Sequence, residues 1–454
     1  MLYREHLPYL SDASGYYAAI ASLPWAVWLD SAGMGRYDII CAQPVATLVT
    51  HGATTAISDA SGTRHSADDP FDLLRELLGA PVENVTDIPF CGGAVGYWGY
   101  DLARRLVHLS EQAQDAEQLP DMAVGIYDWA VVLDHQSKTA QLVSRQHTAQ
   151  TAQILPEILA QLQSAHALPR DNFQVCGPIT SNFTRASYEA AFAVIHDYLH
   201  AGDCYQVNLA QRYAACARGD ALQAYLELRR LSPAPYSAFL NLPQAQILCV
   251  SPECFLHVRE GNAETRPIKG TRPRMADALR DAQLANELQH SGKDRAENLM
   301  IVDLLRNDLS KSCRPGSVQV RKLFAVESFA HVHHLVSTVT GRLAAGQDAL
   351  ALLRNCFPGG SVTGAPKLRA MQIIEQLEPH RRGVYCGAIG YVGYDGNMDS
   401  NIAIRTLVYS GDEIRFWVGG GIVADSAAAA EFQETLDKAV GVLELLRRYG
   451  SNQA

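Results

Sequence analysis

Apolar positions along the chain follow two rhythms, and the changes between them mark its elements. Short apolar runs between Tyr16 and Val49, such as PWAVWL and YDIICA, predict strands, broken by the turn-forming SAGMG at Ser31 to Gly35. Residues Pro70 to Leu78 carry helical spacing. GGAVGYWGYD, Gly92 to Asp101, reads as a strand interrupted by glycines, a sign of bulges or close sheet packing. The pattern returns as GAIGYVGYD, Gly387 to Asp395, which matches GAVGYWGYD, Gly93 to Asp101, at seven of nine positions. The echo predicts an internal duplication, since two related halves suit a pair of facing sheets, with convergent strand-turn chemistry as the alternative.

After Gln146 comes a helix-like stretch and then the irregular ALPRDNFQVCGPITSNF, which marks a boundary between an N-terminal part, 1–170, and a second part, 171–454. Thr184 is placed to cap a helix in which Tyr188, Phe192, Ile195 and Leu199 recur at helical spacing, ending at Gly202. CYQVNLAQRYAA follows as a strand holding Gln206, and SPAPYSAFLNL and ILCVSPECFL continue as strands into TRPIKGT, Thr265 to Thr271. Helices followed by several strands, without regular βαβ alternation, predict the α+β class.

TRPIKGT confines one lysine between structure-breaking neighbours. Pro267 fixes its own φ and Gly270 permits close approach, so Lys269 is expected on a tight bend. Burial penalises a charged amine, and a lysine starting near about 10.4 then becomes a nucleophile near neutral pH; a surface lysine in a turn is the other reading. In DRAENLMIVDLLRND, Asp294, Glu297, Ile301, Leu304 and Asp308 share one helix face, which makes Glu297 either a magnesium ligand or the partner of a nearby arginine. The last helix, about Ala427 to Arg448, sets Glu431, Glu434 and Lys438 on one face against an apolar stripe of Phe432, Leu436, Val440 and Leu443. That face is either a solvated i, i+4 pair or, joined with Glu297, a cation site. FPGGSVTGAPK, Phe357 to Lys367, and GGGIVADS from Gly419 read as anion cradles ahead of helices, or as tight turns. Strand alternation in VHHLVSTV sets His334 opposite His333.

Composition narrows the class. With 19% charged and 48% hydrophobic residues over 454 positions, the chain has the make-up of a globular enzyme. A net charge of -10 argues against a nucleic-acid partner, which needs a basic face. MLYREHLPYLSD lacks a basic start and apolar core, and no long apolar run follows, so neither export nor a membrane span is expected. The ten cysteines, scattered without a CxxC pair, read as reduced core thiols of a cytoplasmic protein.

GDCYQVNLAQR, SPECF, RPIKGTRPR, DRAENLMIVDLLRND, HHLVSTV, FPGGSVTGAPK and GGGIVADS occur together in this order, and by them the chain resembles the chorismate-utilising enzymes. The likeness is strong from about Thr184 onward and looser before it. Anthranilate- and isochorismate-forming relatives usually have alanine where Lys269 stands, and water-using relatives place a lysine base where Gln206 stands. The resemblance therefore implies amination of chorismate at C4 to 4-amino-4-deoxychorismate, a precursor of 4-aminobenzoate and folate. It makes Lys269 the nucleophile at C2, displaced when ammonia enters at C4, with Glu253 as general acid and base and His334 orienting the C4 oxygen. It assigns Mg2+ to Glu297 and Glu434 with Glu431 nearby, and the substrate to Tyr385, Arg405, Gly419, Gly420, Gly421, Lys438, Thr363 and Gln206.

The resemblance also implies a four-layer α/β/β/α fold of two packed antiparallel sheets with outer helices. Ammonia must come from a separate glutamine amidotransferase subunit, because the chain has no GxCxG elbow and Cys356 in NCFPGG does not fit one. WLDSAG and SPAPYSAF resemble a tryptophan effector pocket, with Ser31, Pro235, Tyr236 and Ser237 on its wall and Asp30 where the related motif has glutamate. Two rivals stand beside this reading. An anthranilate-forming enzyme would also expel pyruvate, and a non-catalytic anion-binding protein would bind without turnover.

Overall fold

Strands buried along their whole length, such as Gly93–Trp98, Met122–Tyr127 and Ala388–Gly393, need cover on both faces, and packing one sheet upon another supplies it. The computed structural model describes residues 2–83, 88–164, 172–329 and 332–450. Among these, the strands form two large sheets, of thirteen and twelve strands, whose long ladders are antiparallel. The main core lies between them: Val27, Leu240 and Ile247 of the larger sheet join one cluster with Val95, Val124 and Leu256 of the smaller. Helices cover the outer faces. Ser14–Ile20, Ala149–Gln163, Leu222–Leu231 and Ala428–Arg448 pack on the larger sheet, and Pro70–Leu78, Gly292–Ser310 and Ala349–Cys356 on the smaller. This is the four-layer α/β/β/α arrangement. Each sheet takes strands from both sides of residue 170, and the boundary itself falls in 165–171, outside the described residues.

Thr184 caps Arg185–His200 through a reciprocal box with Ser187, and Tyr188, Phe192, Ile195 and Leu199 are buried as the spacing requires. Each such apolar side chain contributes about 1.5–3 kcal/mol when fully buried. Gly202 ends the helix at φ +78°, a conformation that favours glycine.

Four expectations need correction. The stretch opening at Tyr16 begins as a helix, Ser14–Ile20, because Tyr16, Tyr17, Ala19 and Ile20 together make a helical rather than an alternating stripe. The echoed strands are not on facing sheets. They are antiparallel neighbours in the smaller sheet, with Gly96 opposite Gly390. A Cβ at Gly96 would lie 2.2 Å from the Ala123 oxygen and one at Gly390 2.1 Å from the Asp399 oxygen, so close strand approach accounts for the shared glycines. On Ala428–Arg448 the buried line runs through Glu431, Thr435, Ala439, Val442, Leu445 and Leu446, while Val440 is 57% exposed. The helix leans on strand Glu413–Ile422 between two other helices, and that contact turns Val440 outward. Of the cysteines, eight are buried, but Cys176 is exposed and Cys216 only partly covered.

No described helix is long and apolar enough to cross a membrane.

Candidate active site

Strand Ile268–Pro273 pairs with Val332–Arg342, and its register slips between Ile268 and Thr271. Lys269 and Gly270 form the resulting bulge. Gly270 has φ +79°, and a Cβ there would stand 2.8 Å from Leu288 and 2.9 Å from the Asp294 carboxyl, so glycine alone lets the strand bend beneath helix Gly292–Ser310. Lys269 is half-buried, and its Nζ donates to the Ser361 carbonyl at 3.2 Å. Desolvation lowers its pKa against the opposing pull of Glu253, and Lys438 lowers it further.

Glu253 sits where the chain changes sheets, between Gln246–Ser251 of the larger and Cys254–Arg259 of the smaller. Its own backbone is held on both sides: its N–H donates to Ser251 Oγ at 3.2 Å and its carbonyl accepts from Ile402 N at 3.0 Å. Burial pushes its carboxyl above the ordinary 4.5, although Lys269, the Ser361 side chain and the Ile268 backbone pull the other way. Lys269 and Glu253 thus sense each other, yet among the described ion pairs they form none. A second change of sheet, between Met398–Ile402 and Thr406–Ser410, presents Arg405 at φ +50°. Desolvation lowers its pKa, and no described carboxylate pairs with it. His334 Nδ1 lies 2.9 Å from Thr271 Oγ1, and burial, followed by Arg405, pushes the ring down to about 4. His333 points the other way, its Nε2 3.1 Å from Asp281.

The acidic faces meet above the lysine. Lys293 Nζ is 3.8 Å from Glu297 and 4.0 Å from Glu431, so lysine rather than arginine is the partner of Glu297. Ser426 Oγ donates to Glu431 at 2.7 Å. Lys438 Nζ is 2.7 Å from Glu434 and donates to the Gly419 carbonyl at 2.8 Å. Burial raises Glu297 and Glu431; in Glu434 the same burial is outweighed by Lys438, and its pKa falls. Gly419, Gly420 and Gly421 lie within strand Glu413–Ile422, paired to Ala210, Leu209 and Asn208, rather than in a cradle before the helix. Their bareness serves the carboxylates: a Cβ at Gly420 would be 3.1 Å from Glu431 Oε2 and 3.6 Å from Glu434 Oε1. Gln206 is 1% exposed beside Gly421, and its Nε2 has no hydrogen-bond partner among the described residues. Thr363, fully buried, donates to the Gly359 carbonyl at 3.1 Å. Tyr385 is buried and stacks on Trp417 at 6.1 Å. Lys367 turns away to Asp308 at 2.7 Å and the Pro358 carbonyl at 2.8 Å, which removes it from any anion site.

A model of the chorismate binding enzyme family matches residues 25–444. The chain belongs to the chorismate-binding enzymes. Aminodeoxychorismate synthase component 1 of Klebsiella aerogenes is 49% identical over 97% of this chain and 98% of that protein. Anthranilate synthase component 1 of Streptomyces coelicolor is 38% identical, covering 92% of this chain and 82% of the relative. Among solved structures, anthranilate synthase component I of Streptococcus pneumoniae superposes with a TM-score of 0.80 at 32% identity, over 89% of this chain and 91% of that one.

This chorismate-binding enzyme therefore gathers Lys269, Glu253, His334, Arg405, Glu297, Glu431, Glu434 and Lys438 into one charged cleft, with Gln206 beside the glycine strand. Among the described residues no three His, Cys, Asp or Glu side chains stand close enough to hold a metal by themselves. Instead Lys293 stands between Glu297 and Glu431, and Lys438 against Glu434, so each carboxylate of the group has an ammonium beside it. Ser31, Pro235, Tyr236 and Ser237 lie elsewhere, on a cavity of about 350 Å³. Asp30 on its wall accepts from Tyr225 Oη at 2.7 Å and pairs with Arg229 at 2.8 Å, whereas buried Ser31 Oγ has no partner among the described residues. Three residues escaped the sequence reading: Ser361, which contacts both Lys269 and Glu253, Thr271 and Ser426. Each lies within a quoted motif, but a hydroxyl among glycines and prolines carries no spacing signal of its own.

Proposed function

We propose that this enzyme is the chorismate-aminating component of aminodeoxychorismate synthase and works through a covalent Lys269 intermediate. The observation that carries the reading is Lys269 itself, an amine with lowered proton affinity next to an unpaired, raised carboxyl. Neutral Lys269 Nζ adds to C2 of chorismate, the ring double bonds shift, and the C4 oxygen leaves as water with the proton of Glu253. Ammonia then adds at C4, the electrons return, and Lys269 departs as the free amine while Glu253 takes the surplus proton. His334, neutral above about pH 4, hydrogen-bonds the departing oxygen without competing for its proton. Arg405 and Lys438 grip the substrate carboxylates, Arg405 with a planar fork, and the free Gln206 amide donates to the same ligand.

Glu297 and Glu434, with Glu431 nearby, would hold Mg2+, and the ion when bound would supply charge neutralisation for the ring carboxylate and the departing hydroxyl. Lys293 Nζ, 3.8 Å from Glu297 and 4.0 Å from Glu431, balances the charge of those two carboxylates. Ammonia is delivered by a separate glutaminase subunit, and tryptophan occupies the Ser31 cavity, where the unpartnered hydroxyl awaits a ligand.

The test is to incubate the purified chain with chorismate, a magnesium salt and ammonium, and to identify the product by mass and ultraviolet spectrum. Aminodeoxychorismate, its enolpyruvyl group retained, is expected. Anthranilate would reduce Lys269 to a bystander, and binding without turnover would favour a non-catalytic protein.

A further inference from the structure

Outside the cleft, the chain holds a pair of thiols that neither its proposed chemistry nor its core uses. Strand Gln174–Val175 runs antiparallel to Gln206–Arg218, with Gln174 opposite Arg218 and Val175 opposite Ala217. One step further Cys176 faces Cys216, and the Cys176 N–H donates to the Cys216 carbonyl at 2.8 Å. Directly paired residues of an antiparallel ladder have Cα atoms about 5.5 Å apart or closer. A disulfide spans about 4.4–6.8 Å between Cα atoms, so the spacing of directly opposed strand residues falls within its range. The two thiols are electrostatic neighbours across the ladder, and Cys176 Sγ donates to the Gln174 carbonyl of its own strand at 3.9 Å.

Access singles out the same two residues. The other eight cysteines are buried, while Cys176 is exposed and Cys216 partly so. Exchange needs a thiolate that can reach an external disulfide, and then a second thiol within reach to resolve the product. Only this pair meets both conditions among the ten.

We propose that Cys176 and Cys216 form a redox modification site, a cross-strand thiol pair that low-molecular-weight disulfides convert to a disulfide. The thiolate of Cys176 attacks one sulfur of an oxidised glutathione molecule and releases one reduced glutathione. Cys216 then attacks the mixed disulfide at the Cys176 sulfur, releasing the second. The two cysteines lose two electrons and two protons together, and the glutathione disulfide gains them.

The bond fastens the segment after residue 171 to the strand whose other end carries Gln206. The same segment is tied to the C-terminal helix, because Val175 N donates to the Tyr449 carbonyl at 2.8 Å. Oxidation therefore braces the base of two elements that bear cleft residues, without entering the cleft.

The experiment equilibrates the full chain in glutathione buffers of graded ratio, blocks free thiols with an alkylating reagent, and maps the peptides by mass. A linked Cys176–Cys216 peptide is expected to grow with the oxidised fraction, with Cys216 protected from alkylation in step. Oxidised wild-type protein should also melt a few degrees higher than reduced protein, a difference absent from C176S and C216S, both of which lie outside the cleft. A mixed disulfide confined to Cys176 with Cys216 still alkylated at every ratio would overturn the proposal, as would no oxidation at either position.

Discussion

The cleft at Lys269 and the cavity at Ser31 each set a buried carboxylate near a cation, and they resolve that charge in opposite ways. Asp30 is closed into contact with Arg229 at 2.8 Å and Tyr225 at 2.7 Å, and burial with Asp38 still lifts it to about 6. Glu253 and Lys269 feel each other across the cleft without closing into a pair. Arg405 has no described carboxylate partner, and Gln206 has a buried amide nitrogen with none. A satisfied ion pair is a wall. Charges held apart in desolvated surroundings keep interactions unmet, and the cost of keeping them apart is borne by the packed sheets around them.

Removing the nucleophile tests that contrast hardest. Lys269→Ala should lower amination by about 10²-fold or more, as loss of a reacting group does, leaving the slower direct attack of ammonia. Wild-type turnover in that variant would sink the covalent role. Next come Glu297→Ala and Glu434→Ala, each expected to remove most activity, more than about tenfold, together with its magnesium dependence. A wild-type magnesium titration in either variant would count against the assigned ligands.

The acid side of stability follows from His334. Its folded pKa of about 4 lies below the ordinary 6.5, so between those values the unfolded chain binds the extra proton and the folded chain does not. The stabilisation is complete above pH 6.5 and is lost progressively as pH falls toward 4. H334N should flatten that decline in urea unfolding midpoints; an identical decline would show that other groups set it. The smallest effect belongs to the cavity. S31A should weaken tryptophan binding by about 2- to 12-fold, the worth of one hydrogen bond, with chorismate turnover little changed. Calorimetry reads the first number, and an unchanged affinity would remove Ser31 from the site.

Much of the frame was legible because local rules agreed with the final packing. Thr184 as a helix cap, Pro70–Leu78 and the alternation of His333 and His334 were all readable from neighbouring residues. Lys269 drew notice for the same reason, as a cation between a proline and a glycine. What stayed hidden depends on partners far along the chain. Gly419–Gly421 looks like a loop until its pairing with Leu209 and its neighbours makes it a strand. Val440 fits an apolar stripe until the strand beneath decides which side of the helix is inner. Ser361 acquires meaning only when a loop 92 residues beyond Lys269 brings its carbonyl to the amine.

The pairing of Gly93–Trp98 with Ala388–Gly393 has a consequence for synthesis on the ribosome. Between Trp98 and Ala388, which face each other in that ladder, about 290 residues must be added. At typical elongation speeds the first strand waits about 15–60 s with its edge unclaimed. An apolar strand with free backbone donors and acceptors is a template for any other strand nearby. A nascent chain of this protein is therefore most exposed to aggregation late in translation, and a chaperone that shields that edge until the C-terminal third emerges should raise its soluble yield.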